Sequence, residues 1–229
     1  MINKENFKQA LADMNINLTD QMIEQFDLYF KLIDKYNKVM DLTAVAGEDE
    51  VYDRHFYNSL SIAFNKNFNG LSLCDVGAGA GFPSIPLKIA FPDMNLTIID
   101  PLSKRMEFLK IVVKELSLQN VNILKLRAED ACKTYKESFD IVTARAVARL
   151  NILVELISQL VKKDGLFISM KGIKGQEELL EAANAIKTCG FELVEQTKLD
   201  PSINYYFKKV NQTPNKYPRN YGQIKNKPL

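Results

Sequence analysis

The chain has 229 residues, 46% of them hydrophobic and 25% charged, the balance of a folded globular protein with a sizeable core, and this excludes a disordered chain. The formal net charge of +2 hides a segregation: residues 1–70 hold 7 Lys/Arg against 11 Asp/Glu, residues 71–207 hold 17 against 17, and residues 208–229 hold 6 against none. A single histidine, His55, and three scattered cysteines, Cys74, Cys132 and Cys189, exclude a multi-histidine zinc site, a CxxC cluster and a disulfide framework. No metal is expected, and the cysteines are expected as reduced, mostly buried thiols. The polar start, MINKENFKQ, is followed by no apolar signal segment, and no run approaches the roughly 18 apolar residues of a membrane span. The expectation is a soluble, cytoplasmic protein with no membrane association and no stable protein partner implied.

In chain order, a short helix is predicted over residues 5–14. A long amphipathic helix follows, with Met22, Phe26, Tyr29, Ile33, Tyr36 and Met40 recurring every three or four residues behind the capping pair Thr19 and Asp20. A third helix is predicted over 54–64, so residues 1–70 read as a helical extension. From Leu71 the texture changes to short, nearly continuous apolar runs, LSLCDV, NLTIID, VNILKL, FDIVTA and GLFISM, alternating with helical segments at 84–91, 103–116, 150–161 and 176–188. That alternation predicts a doubly wound, mostly parallel sheet. The runs FELVEQTKL and NYYFKKV are separated only by a turn at 200–202, too short for a crossover, and are expected as an antiparallel hairpin at the sheet edge. The fold class is α/β, with a main domain over 71–210 and a basic tail over 211–229 that is expected to be irregular or mobile.

The sharpest feature is Asp75-Val76-Gly77-Ala78-Gly79-Ala80-Gly81-Phe82-Pro83, between the first strand and the helix after it. Glycines permit a tight turn and close ligand approach, and the free amides of a helix start favour a polar group. The dinucleotide fingerprint wants Gly or Ala where this chain has Phe82, so the fit to NAD is poor. An acid two residues before the first glycine suits S-adenosylmethionine, which carries an ammonium and a sulfonium and no phosphate. Asp100, at the end of the next strand, is placed to accept ribose hydroxyls. Ala128-Glu129-Asp130, after the third strand, is placed to meet the adenine. Singly, each acid is as readily a helix cap. Jointly with the loop they form one cofactor set: Asp75, Gly77, Ala78, Gly79, Gly81, Asp100, Ala128 and Glu129.

The sequence closely resembles the glucose-inhibited division protein B family of bacterial methyltransferases. The resemblance is carried by Asp41-Leu42-Thr43, Arg54-His55, VGAGAGFPSIPLKI from Val76, DPLSKR from Asp100, FLK from Phe108, Ala128-Glu129, TARAVA from Thr143, MKG from Met170 and YPR near the end. It implies the class I methyltransferase sheet with an N-terminal helical addition. It also implies an activity: methylation of guanine N7 in small-subunit ribosomal RNA. Cofactor contacts map by resemblance onto Gly77, Phe82, Ala128, Glu129 and Arg145.

Guanine N7 presents a free lone pair, so no general base is required, and catalysis would come from alignment and electrostatics. Arg145 is the candidate for orienting the base. Arg149 and Lys171, also at strand ends, are candidates for guanine O6 or a flanking phosphate. The expected RNA-binding set is Lys171, Lys208, Lys209, Lys216 and Arg219, with Tyr217 and Tyr221 as stacking surfaces. His55 is left out of the catalytic set because a lone histidine is more often structural. The expected partner is small-subunit ribosomal RNA or the ribosomal subunit. A small-molecule methyltransferase and a non-catalytic, cofactor-binding assembly factor are the alternatives.

Overall fold

The computed structural model describes residues 1–44 and 47–229. Seven strands, β1 (Ser72–Val76), β2 (Asn95–Ile99), β3 (Val121–Leu124), β4 (Phe139–Arg145), β5 (Val161–Lys171), β6 (Phe191–Leu199) and β7 (Ser202–Lys209), form one sheet in the order β3-β2-β1-β4-β5-β7-β6. The β2/β3, β1/β4 and β4/β5 pairs are parallel, and β5/β7 and β6/β7 are antiparallel. This is the class I methyltransferase arrangement, and the predicted edge hairpin is β6–β7. By contacts the chain divides into two compact units, Met1–Gly70 with Ala78–Lys125, and Leu71–Gly77 with Leu126–Leu229.

In the first unit, α1 (Phe7–Ala12) precedes α2 (Asp20–Met40), whose N-cap Thr19 accepts a hydrogen bond from the Met22 amide at 3.2 Å. The heptad-like stripe of α2 buries Phe26, Tyr29, Leu32 and Ile33. Phe26 meets Phe7 at 5.0 Å and Phe56 at 5.1 Å between ring centroids, and Phe7 meets Tyr52 edge-on at 5.1 Å. Such tilted ring pairs add to the burial of large apolar area. The single helix predicted over 54–64 is broken. α3 (Glu48–Val51) runs into a π-helical turn, Tyr52–Tyr57, then α4 (Asn58–Leu60) and a 3-10 turn, Ser61–Ala63. The wider turn lets Tyr52, Phe56 and Tyr57 all be buried where a regular 3.6-residue period would rotate one outward. α5 (Ser84–Ala90) and α6 (Ser103–Glu115) both pack against α2.

In the second unit, α7 (Ala128–Thr134) and α8 (Leu150–Ile157) pack together. α7 was not among the predicted helices because it buries only Ala131 and Cys132, which leaves no apolar face for the sequence to show, whereas all seven residues of the equally short α5 are buried. α8 ends four residues before the predicted limit, because Val161 pairs with Phe139 and opens β5. The helix predicted over 176–188 divides at Ala182 into α9 (Gly175–Glu181) and α10 (Ala183–Thr188).

The C-terminal segment departs from expectation. It contains α11 (Tyr221–Asn226), capped by the Asn220 side chain, and Thr213, Tyr217 and Ile224 are buried in it. Gln159 donates to the Tyr217 carbonyl at 3.0 Å, so the segment is docked, and a count of prolines and polar residues does not register buried anchors spaced this widely. All three cysteines are free and buried, as expected, and burial raises the Cys74 thiol well above its usual range.

Candidate cofactor and RNA site

The glycine loop turns within the first unit from Ala78 onward. The Gly81 and Phe82 amides both donate to the Ala78 carbonyl, at 2.8 and 3.0 Å, and the Ile85 amide donates to Gly81 O at 2.8 Å, which starts α5. Gly81 has a φ of +108°, and a Cβ there would lie 2.6 Å from Ile85 and 2.8 Å from the Tyr29 hydroxyl. Only glycine fits. The Tyr29 hydroxyl itself donates to the Ala80 carbonyl at 2.7 Å, which ties the loop to α2. Gly79, at φ +60°, has no atom within 4 Å of where a Cβ would be, so one side of the loop is open. Ala78 and Phe82 are buried.

Asp100 follows β2 in the same unit and is 1% exposed. Its Oδ1 accepts from the Leu102 amide at 2.8 Å; its Oδ2 has no hydrogen-bond donor among the described residues and lies 3.7 Å from the Arg105 guanidinium. A buried carboxylate oxygen left without a donor is costly unless a ligand supplies one. This arrangement fits a ligand that brings hydroxyl donors.

The second unit holds the remaining predicted cofactor residues. Asp75 is fully buried in β1, in register with Thr143 of β4. Gly77 lies against Val147, whose Cγ2 is 2.7 Å from where a Cβ would be, so the segment after β4 packs on the first glycine. Ala128 and Glu129 begin α7 and are partly exposed, and Arg145 ends β4, partly exposed. Ala146, directly after it, has φ +56°, a strained conformation for a residue with a Cβ. That turn redirects the chain so that Val147 meets Gly77, a contact that no motif in the sequence announces.

The predicted RNA-binding cations separate into two groups. Lys209 is 1% exposed; its ammonium donates to the Ser158 carbonyl at 2.7 Å, the Cys189 carbonyl at 2.8 Å and the Thr213 hydroxyl, and lies 4.4 Å from the Phe191 ring centroid. It is an interior residue, which corrects its assignment to RNA. Lys171 is also buried, donating to the Ala148 carbonyl at 2.7 Å and pairing with Glu178 at 2.8 Å. Burial pushes its pKa down against the pull of Glu178. Arg219 makes a two-pronged pair with Glu155, at 2.9 and 2.6 Å, and Glu155 is 0% exposed. These three cations are held by internal acceptors: two carbonyls and a hydroxyl for Lys209, a carbonyl and Glu178 for Lys171, and Glu155 for Arg219. Tyr217 is likewise buried and offers no stacking face.

Lys208 remains at the surface, paired with Asp164 at 3.1 Å, and Lys216 is exposed, 5.2 Å from the Tyr217 ring. Arg149 is exposed and held by Glu177 at 3.0 Å and Glu181 at 2.6 Å. Among the described residues no cluster of three or more His, Cys, Asp or Glu side chains is placed to hold a metal, and no helix is long and apolar enough to cross a membrane.

Sequence reasoning read Arg54-His55 as able to brace the cofactor region or contact RNA and left His55 out of the catalytic set; its ring stacks on Phe82 of the loop at 4.3 Å and 14°. The available signal was the Arg54-His55 pair.

Comparison with known proteins gives concordant results. The family described as rRNA small subunit methyltransferase G matches residues 22–204. Proteins named Ribosomal RNA small subunit methyltransferase G are similar along the whole chain: that of Brevibacillus brevis is 46% identical with 99% of each chain covered, and that of Staphylococcus epidermidis is 47% identical with 98% of each covered. A solved structure described as a SAM dependent methyltransferase from Aquifex aeolicus shares the fold, with a TM-score of 0.56 and 17% identity over 79% of this chain and 97% of that one.

Proposed function

The chain belongs to the rRNA small subunit methyltransferase G (GidB) family, and on that premise we propose that it transfers a methyl group from S-adenosylmethionine to N7 of a guanine in small-subunit ribosomal RNA. The observation that carries the cofactor reading is Asp100, a buried carboxylate with one oxygen lacking a donor, in the same unit as a glycine loop open beside Gly79. Asp75, Gly77, Ala78, Gly79, Gly81, Phe82, Asp100, Ala128, Glu129 and Arg145 hold the cofactor in this reading. S-adenosylmethionine, when bound, supplies an electrophilic methyl group.

The residues of the chain then have positioning and electrostatic work to do. Guanine N7 needs no deprotonation, so no side chain is assigned as a general base, and the cysteine beside the loop, Cys74, is too buried and too weakly acidic to act as a nucleophile. Arg145 orients the base from the end of β4, donating to guanine O6 so that N7 faces the methyl group. Lys208 and Lys216 supply phosphate contacts. In this division residues 71–210 carry the methyl-transfer chemistry, residues 1–70 form the helical layer, and residues 211–229 are a docked segment with an exposed basic face. The target guanine is unpaired or extruded when it is methylated, since a stacked base cannot enter a pocket.

The test is incubation with methyl-labelled S-adenosylmethionine and small ribosomal subunits from cells lacking the activity. Label is expected in the RNA fraction; label confined to ribosomal protein, or none, overturns the proposal.

A further inference from the structure

The helical layer contains a polar and aromatic relay that ends on the glycine loop, and every member lies in the first unit. At the C-terminus of α2, Asp41 turns into the left-handed region at φ +51°. The Asn37 side chain brackets the next two residues: its Oδ1 accepts from the Leu42 and Thr43 amides at 2.8 and 2.9 Å, and its Nδ2 donates to the Thr43 carbonyl at 2.8 Å. Thr43 is thereby fixed, and its Oγ1 shares a 2.7 Å hydrogen bond with His55 Nε2. The π-helical turn that carries His55 brings its imidazole parallel to Phe82, 4.3 Å away. Tyr29 and Phe56 crowd the same Phe82 ring, at 5.8 and 6.3 Å.

We infer that His55 is a positioning residue for the cofactor, acting through Phe82 to hold the glycine loop in its ligand-accepting shape, and that Thr43 fixes the imidazole in the orientation this requires. The inference rests on the cofactor reading above. A π-helical turn gives up regular hydrogen-bond geometry and recurs where a side chain must be aimed. Here the aimed side chain is a half-buried, polar ring on a loop phenylalanine, where an apolar residue would serve packing alone. The hydrogen bond to Thr43 fixes the rotation of the imidazole within its own plane and holds the ring in the stack on Phe82. The motif segments Asp41-Leu42-Thr43 and Arg54-His55 thus meet in one device.

The experiment measures S-adenosylmethionine affinity by titration calorimetry on the full chain, with steady-state kinetics on small subunits and the melting temperature of each ligand-free variant. His55→Ala is expected to weaken cofactor binding about tenfold, from a lost ring stack and hydrogen bond together. The KM for cofactor rises in parallel while kcat changes less than about twofold. His55→Phe, which keeps a ring and loses Nε2, is expected to recover most of that affinity. Thr43→Val is expected to weaken binding about threefold and Thr43→Ser to restore it. Wild-type affinity in a folded His55→Ala protein overturns the inference. If His55→Ala fails to fold, equal affinities for Thr43→Val and Thr43→Ser overturn it instead. A wild-type chain that does not bind S-adenosylmethionine overturns the cofactor reading, and this inference with it.

Discussion

The glycine loop and the C-terminal segment are both held by buried polar contacts, and they are held by opposite means. At the loop itself the ties are neutral, the Tyr29 hydroxyl on Ala80 O and the stack of the His55 and Phe82 rings, while the nearby Asp100 carboxylate has only a 3.7 Å contact with Arg105. At the C-terminal segment the ties are charged, with Lys209 on three oxygens and Arg219 on Glu155. Neutral bracing spends no charged side chain on the loop. Charged bracing spends the segment's cations inside the protein, so the six positive residues of 208–229 do not all contribute to a phosphate-facing surface.

The contrast is broken most directly by Arg219→Ala. It removes both guanidinium bonds to a fully buried Glu155 carboxylate, leaving the residue-219 amide on Oε1, and should cost about 3–5 kcal/mol of stability, read as a lowered denaturant midpoint. A segment acting only as a mobile basic tail would lose nothing. Lys209→Met removes the donor shared by Ser158 O and Cys189 O and should cost about 2–3 kcal/mol, with RNA affinity unchanged under conditions where the variant is folded. Weaker RNA binding without destabilisation would return Lys209 to the surface set.

On the loop side, Gly79→Val meets no atom within 4 Å, so the chain should still fold, at a strain of about 1–3 kcal/mol for a branched residue at positive φ. S-adenosylmethionine binding, measured by calorimetry, should fall more than about tenfold because the side chain occupies the open flank. The smallest effect is expected for Lys216→Ala: unchanged melting temperature, and a slope of log affinity for RNA against log salt that is shallower by about 0.7–0.9. An unchanged salt slope would remove Lys216 from the phosphate contacts.

The strands and the edge hairpin were legible because period and connection length are local properties: continuous apolar runs of four to six residues allow few other readings, and four residues between FELVEQTKL and NYYFKKV exclude a crossover. The loop was legible for a similar reason, since three glycines at alternate positions leave a signal that packing cannot imitate. What was illegible depends on partners distant in sequence. Lys209 looks like any tail lysine until its ammonium is seen to reach Ser158 O and Cys189 O in the interior, and Arg219 until Glu155 is seen to be buried. The break at Tyr52–Tyr57 was hidden because a π-helical turn preserves helical composition while shifting the phase. His55 was discounted on the general behaviour of lone histidines. That behaviour describes it correctly as structural, but what it structures is the cofactor loop.

The central claim, methylation of guanine N7 in small-subunit RNA, is tested most directly by digesting RNA methylated by this chain to nucleosides and identifying the labelled species by mass spectrometry. The account predicts 7-methylguanosine as the sole labelled nucleoside. Label in a base methylated on carbon or on an exocyclic amine, or in a 2′-O-methylated ribose, would contradict it.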